Sequence, residues 1–409
     1  MDFDDTPEEA EFRAEARAFL DAHVPRLAPG EVPADLFERD DPDLIKKAQE
    51  WQARKKDNGW AVMTWPEEYG GRGLRAIHNV IWNQEEGHYR TPINVFGIGL
   101  GMLGPTIMTH GTDEQKKKYL ARMARGDDIW CQLFSEPAAG SDLASLRMKA
   151  ERDGDDWILS GQKIWTTGAH YSRYGMVVTR SDANVVKHAG LTYFMVDMKA
   201  PGVEIRPIKQ ISGTSAFSEV FFTDVRIPDS YRVGAVGNGW RVAITTLMNE
   251  RSVTGGAGRS LRAEDVLRLA QEVDTETGKA IDDAGVRHRI ADFYVRANGL
   301  KYTTYRTLTA LSRGQTPGPE SSIFKLVMAP LNQEIASFGM ELQGQAGSLM
   351  DESYGCQLAY LATPGLRIAA GTDEILRNII AERVLQLPGE PRVDKGIPFK
   401  DIPAGAPSK

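Results

Sequence analysis

The chain has 409 residues, enough for two or three domains rather than a single core. Its composition, 41% hydrophobic and 26% charged, is that of a globular protein, and no apolar run approaches the roughly 20 residues needed to cross a bilayer. A net charge of −7 argues against generic nucleic-acid or anionic-membrane binding, and two cysteines are too few for a disulfide framework or a thiolate metal site. The first residues, MDFDDTPEEAEFRAEAR, are acidic and lack an apolar stretch, so they fit neither a secretory signal nor an Arg-rich transit peptide. A cytoplasmic, reducing setting without a bound metal is the expectation.

Residues 1–127 read as a helical domain. Thr6-Pro7-Glu8-Glu9 sets a cap, a proline in the first turn and a capping-box Glu ahead of Phe12, Ala16, Phe19 and Leu20. Thr112 and Gln115 repeat the pattern before Lys116-Lys117-Lys118, which reads as a solvated helix face. Between them, the segment Trp65 to Gly73 is a turn, and Asn94 to Gly104 carries four glycines whose missing side chains mean either open space or close backbone packing.

Residues 128–237 change period from 3.6 to 2. Trp157-Ile158-Leu159, Met176-Val177-Val178, Leu191 to Val196 and Glu219 to Phe222 are short β-branched or aromatic runs between turn residues, which suggests a small, mostly antiparallel, barrel-like β domain. Helical periodicity returns over 238–387, where Val286 to Leu311 and Ile323 to Leu342 are long enough for an antiparallel bundle and Pro330 should kink the second. Residues 388–409 hold five prolines and read as an extended tail without a core of its own. The whole is an α+β multidomain chain.

The most specific segment is Trp130 to Thr167. Ser135-Glu136-Pro137-Ala138-Ala139-Gly140-Ser141-Asp142 makes a small-residue loop whose backbone amides suit a phosphate or polar ring edge, and Trp165-Thr166-Thr167 adds an indole face with hydroxyls. Over residues 6–387 the sequence resembles the acyl-CoA dehydrogenases, FAD enzymes that introduce a C2=C3 double bond into acyl-CoA thioesters. The resemblance implies three domains, helical, β and four-helix bundle, in at least a dimer. It also implies Phe134, Ser135, Gly140, Ser141, Trp165, Thr167, Thr372, Asp373 and Glu374 as flavin contacts, with Ser141 touching CoA as well. Taken singly, Trp165 also reads as a core tryptophan and Ser141 as a loop cap.

Removing a hydrogen alpha to a thioester requires a carboxylate base, while the β-hydrogen leaves as hydride. In most members of that family the base immediately precedes a C-terminal Gly-Thr, and here Ala370 stands before Gly371-Thr372. A minority branch carries its Glu on a neighbouring helix before an Arg, and the segment from Gly239 to Glu250-Arg251 resembles that branch without a gap. Glu250 is therefore expected as the base, with an ordinary exposed helix carboxylate as the alternative. Arg251 is expected near the thioester or CoA, and the Ala370 amide at the thioester oxygen.

Two stretches depart from the family pattern. Thr275 to Asp283 lacks an Arg-x-x-Phe-Gly element, and Glu341 to Gly347 replaces two residues of a Gln-x-x-Gly-Gly-x-Gly element. Both elements serve the FAD of a dimer mate in relatives, so heteromeric members known for steroid side-chain substrates are a second resemblance. The expected activity is α,β-dehydrogenation in lipid catabolism, with electrons passed to an electron-transfer flavoprotein and no nucleic-acid partner. An acyl-CoA oxidase and a subunit of a heteromeric dehydrogenase are the alternatives.

Overall fold

The computed structural model describes residues 5–28, 41–254, 261–312, 318–319, 322–350, 355–392 and 394–402. Its helices are α1 (Pro7–His23), α2 (Pro42–Asp57), α3 (Ala76–Glu86), α4 (Gly104–His110), α5 (Asp113–Arg125), α6 (Gly239–Thr254), α7 (Ala263–Glu272), α8 (Ala284–Ser312), α9 (Ser322–Leu342), α10 (Cys356–Ala362) and α11 (Asp373–Ile379). Contacts group the chain into two compact units: 1–37, 74–91 and 254–389 in one, 38–73, 92–253 and 390–409 in the other. The N-terminal helices are thus shared out, α1 and α3 with the later helices and α2, α4 and α5 with the sheet.

Local chemistry sets the helix ends. Both capping boxes form: the Thr6 hydroxyl accepts from the Glu9 amide and that of Thr112 from the Gln115 amide. In the helical unit Glu85 of α3, only 5% exposed, accepts from Arg13 and Arg17 of α1 at 3.1 and 3.0 Å, which joins the two helices by their side chains. A second core, containing Val266, Ile290, Phe293, Leu331, Ile335 and Phe338, packs α7, α8 and α9 together. Pro330 lies inside α9 without ending it.

In the other unit, β1 (Trp130–Leu133), β2 (Lys149–Asp153), β3 (Asp156–Thr167), β4 (Tyr174–Arg180), β5 (Leu191–Asp197), β6 (Val203–Ile208), β7 (Phe217–Pro228) and β8 (Arg232–Val233) form one sheet. Its order is β6-β7-β3-β2-β4-β5-β8, with β1 added to β4. Among the described residues β6 pairs only with β7 and β8 only with β5, and β4 takes β1, β2 and β5 as partners, so the sheet branches there. The β3 and β7 pairing slips register twice, between Leu159 and Gly161 and again between Lys163 and Thr166. Two further strands, β9 (Asp274–Thr275) and β10 (Gly278–Lys279), make a hairpin in the stretch that departs from the family pattern.

The glycine-rich stretch before α4 is not open throughout. A Cβ on Gly104 would come within 2.4 Å of the Trp65 ring, so close packing is the reason for glycine there. The tail docks on the sheet unit: Phe399 is buried at 6% exposure, with its N–H bonded to the Val185 carbonyl at 2.8 Å.

Candidate active site

The loop from Ser135 to Ser141 is held from behind. Glu136 and Ala139 exchange backbone hydrogen bonds at 3.0 Å in each direction, so the loop begins as a tight turn over Pro137 and Ala138. The buried Glu136 carboxylate accepts from the amides of Arg147 and Met148 at 2.6 and 3.0 Å, and from the ammonium of Lys163 at 2.8 Å. Lys163, fully buried in β3, also donates to the Phe134 carbonyl at 3.0 Å. Burial pushes the Lys163 ammonium below its ordinary value, and the charge of Glu136 opposes that shift. One buried cation thus joins the loop to the strand carrying Trp165.

Sequence reasoning missed that pair because a lysine beside Gln162 reads as a solvated strand position. The signal was present in the alternation: Trp157 and Leu159 face inward, and Lys163 shares their parity. The same alternation would send Trp165 inward. It does not, because the extra residue between Lys163 and Thr166 resets the phase, Thr166 turns in and Trp165 turns out with φ of 59°. Trp165 is 56% exposed, whereas Trp51, Trp60, Trp65, Trp82, Trp130 and Trp157 are each 7% exposed or less. A strained backbone that presents an indole plane to solvent, braced edge-on by Phe217, fits a site for a flat ring.

The other loop residues follow the same logic. Phe134 is buried and meets Tyr193 edge-to-face at 5.8 Å, while the Ser135 carbonyl accepts from the Ile164 amide at 2.9 Å. Gly140 and Ser141 are exposed, with open space at the Gly140 Cα, and Thr167 is half-buried at the end of β3. These residues meet the needs of a planar cofactor with an apolar face and a hydrogen-bonding edge.

Glu250 lies on α6, whose first three turns are anchored. Val242, Ala243 and Thr246 are fully buried, the Thr246 hydroxyl lies 2.9 Å from Thr106 and 3.1 Å from the Tyr193 phenol, and His110 meets Thr245 at 2.8 Å. Glu250 is one turn beyond Thr246 on the same face and is half-buried, so the inward stripe ends in a carboxylate. The side chain of Arg251 lies outside the described residues.

In the helical unit, Ala370 and Gly371 take positive φ of 53° and 92° just before α11. Ala370 is exposed and carries no acid, so that turn offers backbone groups only. Thr372 caps α11 by accepting from the Ile375 amide at 3.2 Å, and the buried Asp373 pairs with Arg367 at 2.6 Å. Its second oxygen, Oδ1, is buried without a hydrogen-bond partner. Glu374 faces solvent, and bonds to its own backbone amide and to Thr372 hold its carboxyl below the usual range. Lys325 donates to the Gly371 carbonyl.

Comparison with known proteins bears on the whole chain. Residues 6–127, 131–225 and 237–385 match the N-terminal, middle and C-terminal domains of acyl-CoA dehydrogenase. The chain is similar to the acyl-CoA dehydrogenase IpdE1 of Mycobacterium tuberculosis, 38% identical over 350 residues that cover 85% of this chain and 90% of that protein. A solved steroid ACAD, Tcur3481-Tcur3483, superposes with a TM-score of 0.80 at 27% identity, over 95% of this chain and 100% of that one. The ChsE4-ChsE5 complex from Mycobacterium tuberculosis superposes with a TM-score of 0.77 at 28% identity, again over 95% and 100%. No helix among the described residues is long and apolar enough to cross a membrane, and none of their His, Cys, Asp and Glu side chains gather as a metal site.

Proposed function

We propose a reaction from one premise: the chain belongs to the acyl-CoA dehydrogenase family, and is an FAD-binding oxidoreductase acting on acyl-CoA. The reaction is α,β-dehydrogenation of an acyl-CoA to the trans-2-enoyl-CoA. The observation that carries it is a complementary pair: an exposed alanine at residue 370, and a carboxylate at residue 250 that ends the buried stripe of α6. Glu250 takes the α-proton. The Ala370 amide receives the thioester oxygen and stabilises the charge that develops as the proton leaves. FAD, when bound, accepts the β-hydrogen as hydride.

The exposed Trp165 plane, Phe134, Ser135, Gly140, Ser141 and Thr167 hold the cofactor, together with Thr372, Asp373 and Glu374; the unpaired Asp373 Oδ1 supports that assignment. Ser141 and Arg251 bind the CoA portion. Electrons pass on to an electron-transfer flavoprotein. A second reading concerns assembly: the β9–β10 hairpin over Asp274–Lys279 and the Gln343 to Gly347 turn stand where relatives complete the FAD site of a mate. The likeness to a steroid ACAD and to a two-protein complex favours pairing with an unlike subunit and a bulky, polycyclic acyl group.

Glu250→Gln tests the base. The variant should retain bound FAD but lose thioester-dependent flavin bleaching under anaerobic conditions by more than the 10²- to 10⁴-fold typical of general acid–base catalysis. Bleaching at the wild-type rate would remove Glu250 from the reaction. A panel of linear, branched and steroid-derived thioesters, with oxygen uptake followed in parallel, separates substrate classes and distinguishes a dehydrogenase from an oxidase.

A further inference from the structure

The proline-rich segment after α11 does not end in solvent. Pro398 bridges to Val186, and the amides of Phe399 and Lys400 donate to the carbonyls of Val185 and Ala183 at 2.8 and 3.0 Å. The Phe399 ring lies 3.7 Å from the Arg180 guanidinium and 5.3 Å from that of Arg147. Arg180 donates to the carbonyls of Ala144 at 2.6 Å, Leu146 at 3.3 Å and Lys187 at 2.5 Å. The buried Lys187 ammonium pairs with Asp142 at 2.8 Å and with Asp394 at 2.5 Å, and Arg392 braces Asp394 at 2.9 Å.

Two buried cations therefore each grip the segment 142–146 on one side and the tail on the other. A buried cation that loses half its partners is left undercompensated, and its remaining partner is held less firmly. Asp142 is that remaining partner for Lys187, and it adjoins Ser141. We propose that the tail residues Asp394 and Phe399 strap the Ser141–Asp142 turn into its flavin-binding geometry, with Lys187 as the positioning residue that couples tail to turn. The proposal rests on the reading of Ser141 as a cofactor contact.

The test is titration of FAD into the full-length apoprotein, followed by quenching of flavin fluorescence, with thermal midpoints recorded in parallel. Asp394→Asn should weaken FAD about tenfold, equivalent to about 1.4 kcal/mol. Lys187→Met should weaken it at least as much, Lys187→Arg should recover most of the loss, and Asp394→Asn should add little to Lys187→Met, because both act through one ammonium. FAD affinity within twofold of wild type in Asp394→Asn and Phe399→Ala, with or without a lower midpoint, would reduce the tail to a cover and overturn the proposal. Ser141→Ala distinguishes the two levels. If it weakens FAD while Asp394→Asn does not, only the strap fails. If neither variant changes affinity, the cofactor reading of the turn fails with it.

Discussion

The wall formed by Phe134 to Thr167 and the turn from Arg367 to Glu374 each hold an ion pair with a buried carboxylate, but they present different groups. The first is fixed by side chains: a buried Lys163–Glu136 pair, two amides on Glu136, and an aromatic plane aimed outward by a change of strand phase. The second rests on an unusual backbone, two successive positive φ values, pinned by the Thr372 cap, the Arg367–Asp373 pair and Lys325 on the Gly371 carbonyl, with an alanine where a carboxylate would be expected. A side-chain wall resists substitution at its hidden supports. A turn that presents backbone groups is sensitive first to anything that changes its conformation.

The sharpest way to break that contrast is to strip the support of the wall. Glu136→Ala leaves the fully buried Lys163 without its carboxylate partner and should cost about 3–5 kcal/mol, read as a lower midpoint in denaturant unfolding. The paired change Glu136→Gln with Lys163→Met removes both charges and keeps an acceptor for the Arg147 and Met148 amides, so it should restore part of that stability while still lowering flavin content, because the Phe134 carbonyl loses its Lys163 donor. Recovery of both stability and flavin would show that the pair serves the fold alone.

Next in size is the plane itself. Trp165→Ala should weaken FAD by about 2 kcal/mol, roughly thirtyfold, with little change in unfolding midpoint because the indole is mostly exposed. An unchanged ratio of flavin to protein absorbance after gel filtration would make Trp165 a surface residue. The smallest effect belongs to the turn. Ala370→Gly relieves an alanine from a left-handed conformation, worth about 1–2 kcal/mol, against about 0.5–1 kcal/mol of added chain entropy. The net gain should lie between about 0 and 1.5 kcal/mol with activity kept, and Ala370→Val should lose both stability and activity. A destabilised glycine variant would contradict the strain assigned here.

Parts of this contrast were legible in the sequence because they are local. The caps at Thr6 and Thr112 need only the next three residues, and the runs around Val177, Phe194 and Phe222 mark strands by their β-branched and aromatic residues alone. The outward turn of Trp165 was not legible, since period-two reading continues from Leu159 straight through the point where the strand changes phase. Lys163 and Phe399 were hidden for a related reason. Each looks solvated or unstructured until a distant partner, Glu136 or Arg180, supplies the charge or the plane that makes burial possible. The glycine at residue 104 likewise answers to Trp65, far away in sequence.

The two irregularities between β3 and β7 have a consequence in chain length. β3 and β7 are each 12 residues long, and each carries one surplus residue, on β7 opposite the Leu159–Gly161 step and on β3 between Lys163 and Thr166. The surpluses cancel, so the ladder ends in the pairing it began with and the strands look evenly matched when counted. The surplus stretch on β3 includes Ile164, whose amide donates to the Ser135 carbonyl rather than to the ladder. Deleting Ile164 alone would let the pleat run unbroken, with Lys163 and Thr166 still inward and the indole still outward. What disappears is the tether between strand and loop. The number of residues here, and not only their kind, carries information, and a one-codon deletion separates aim from attachment where no side-chain exchange can.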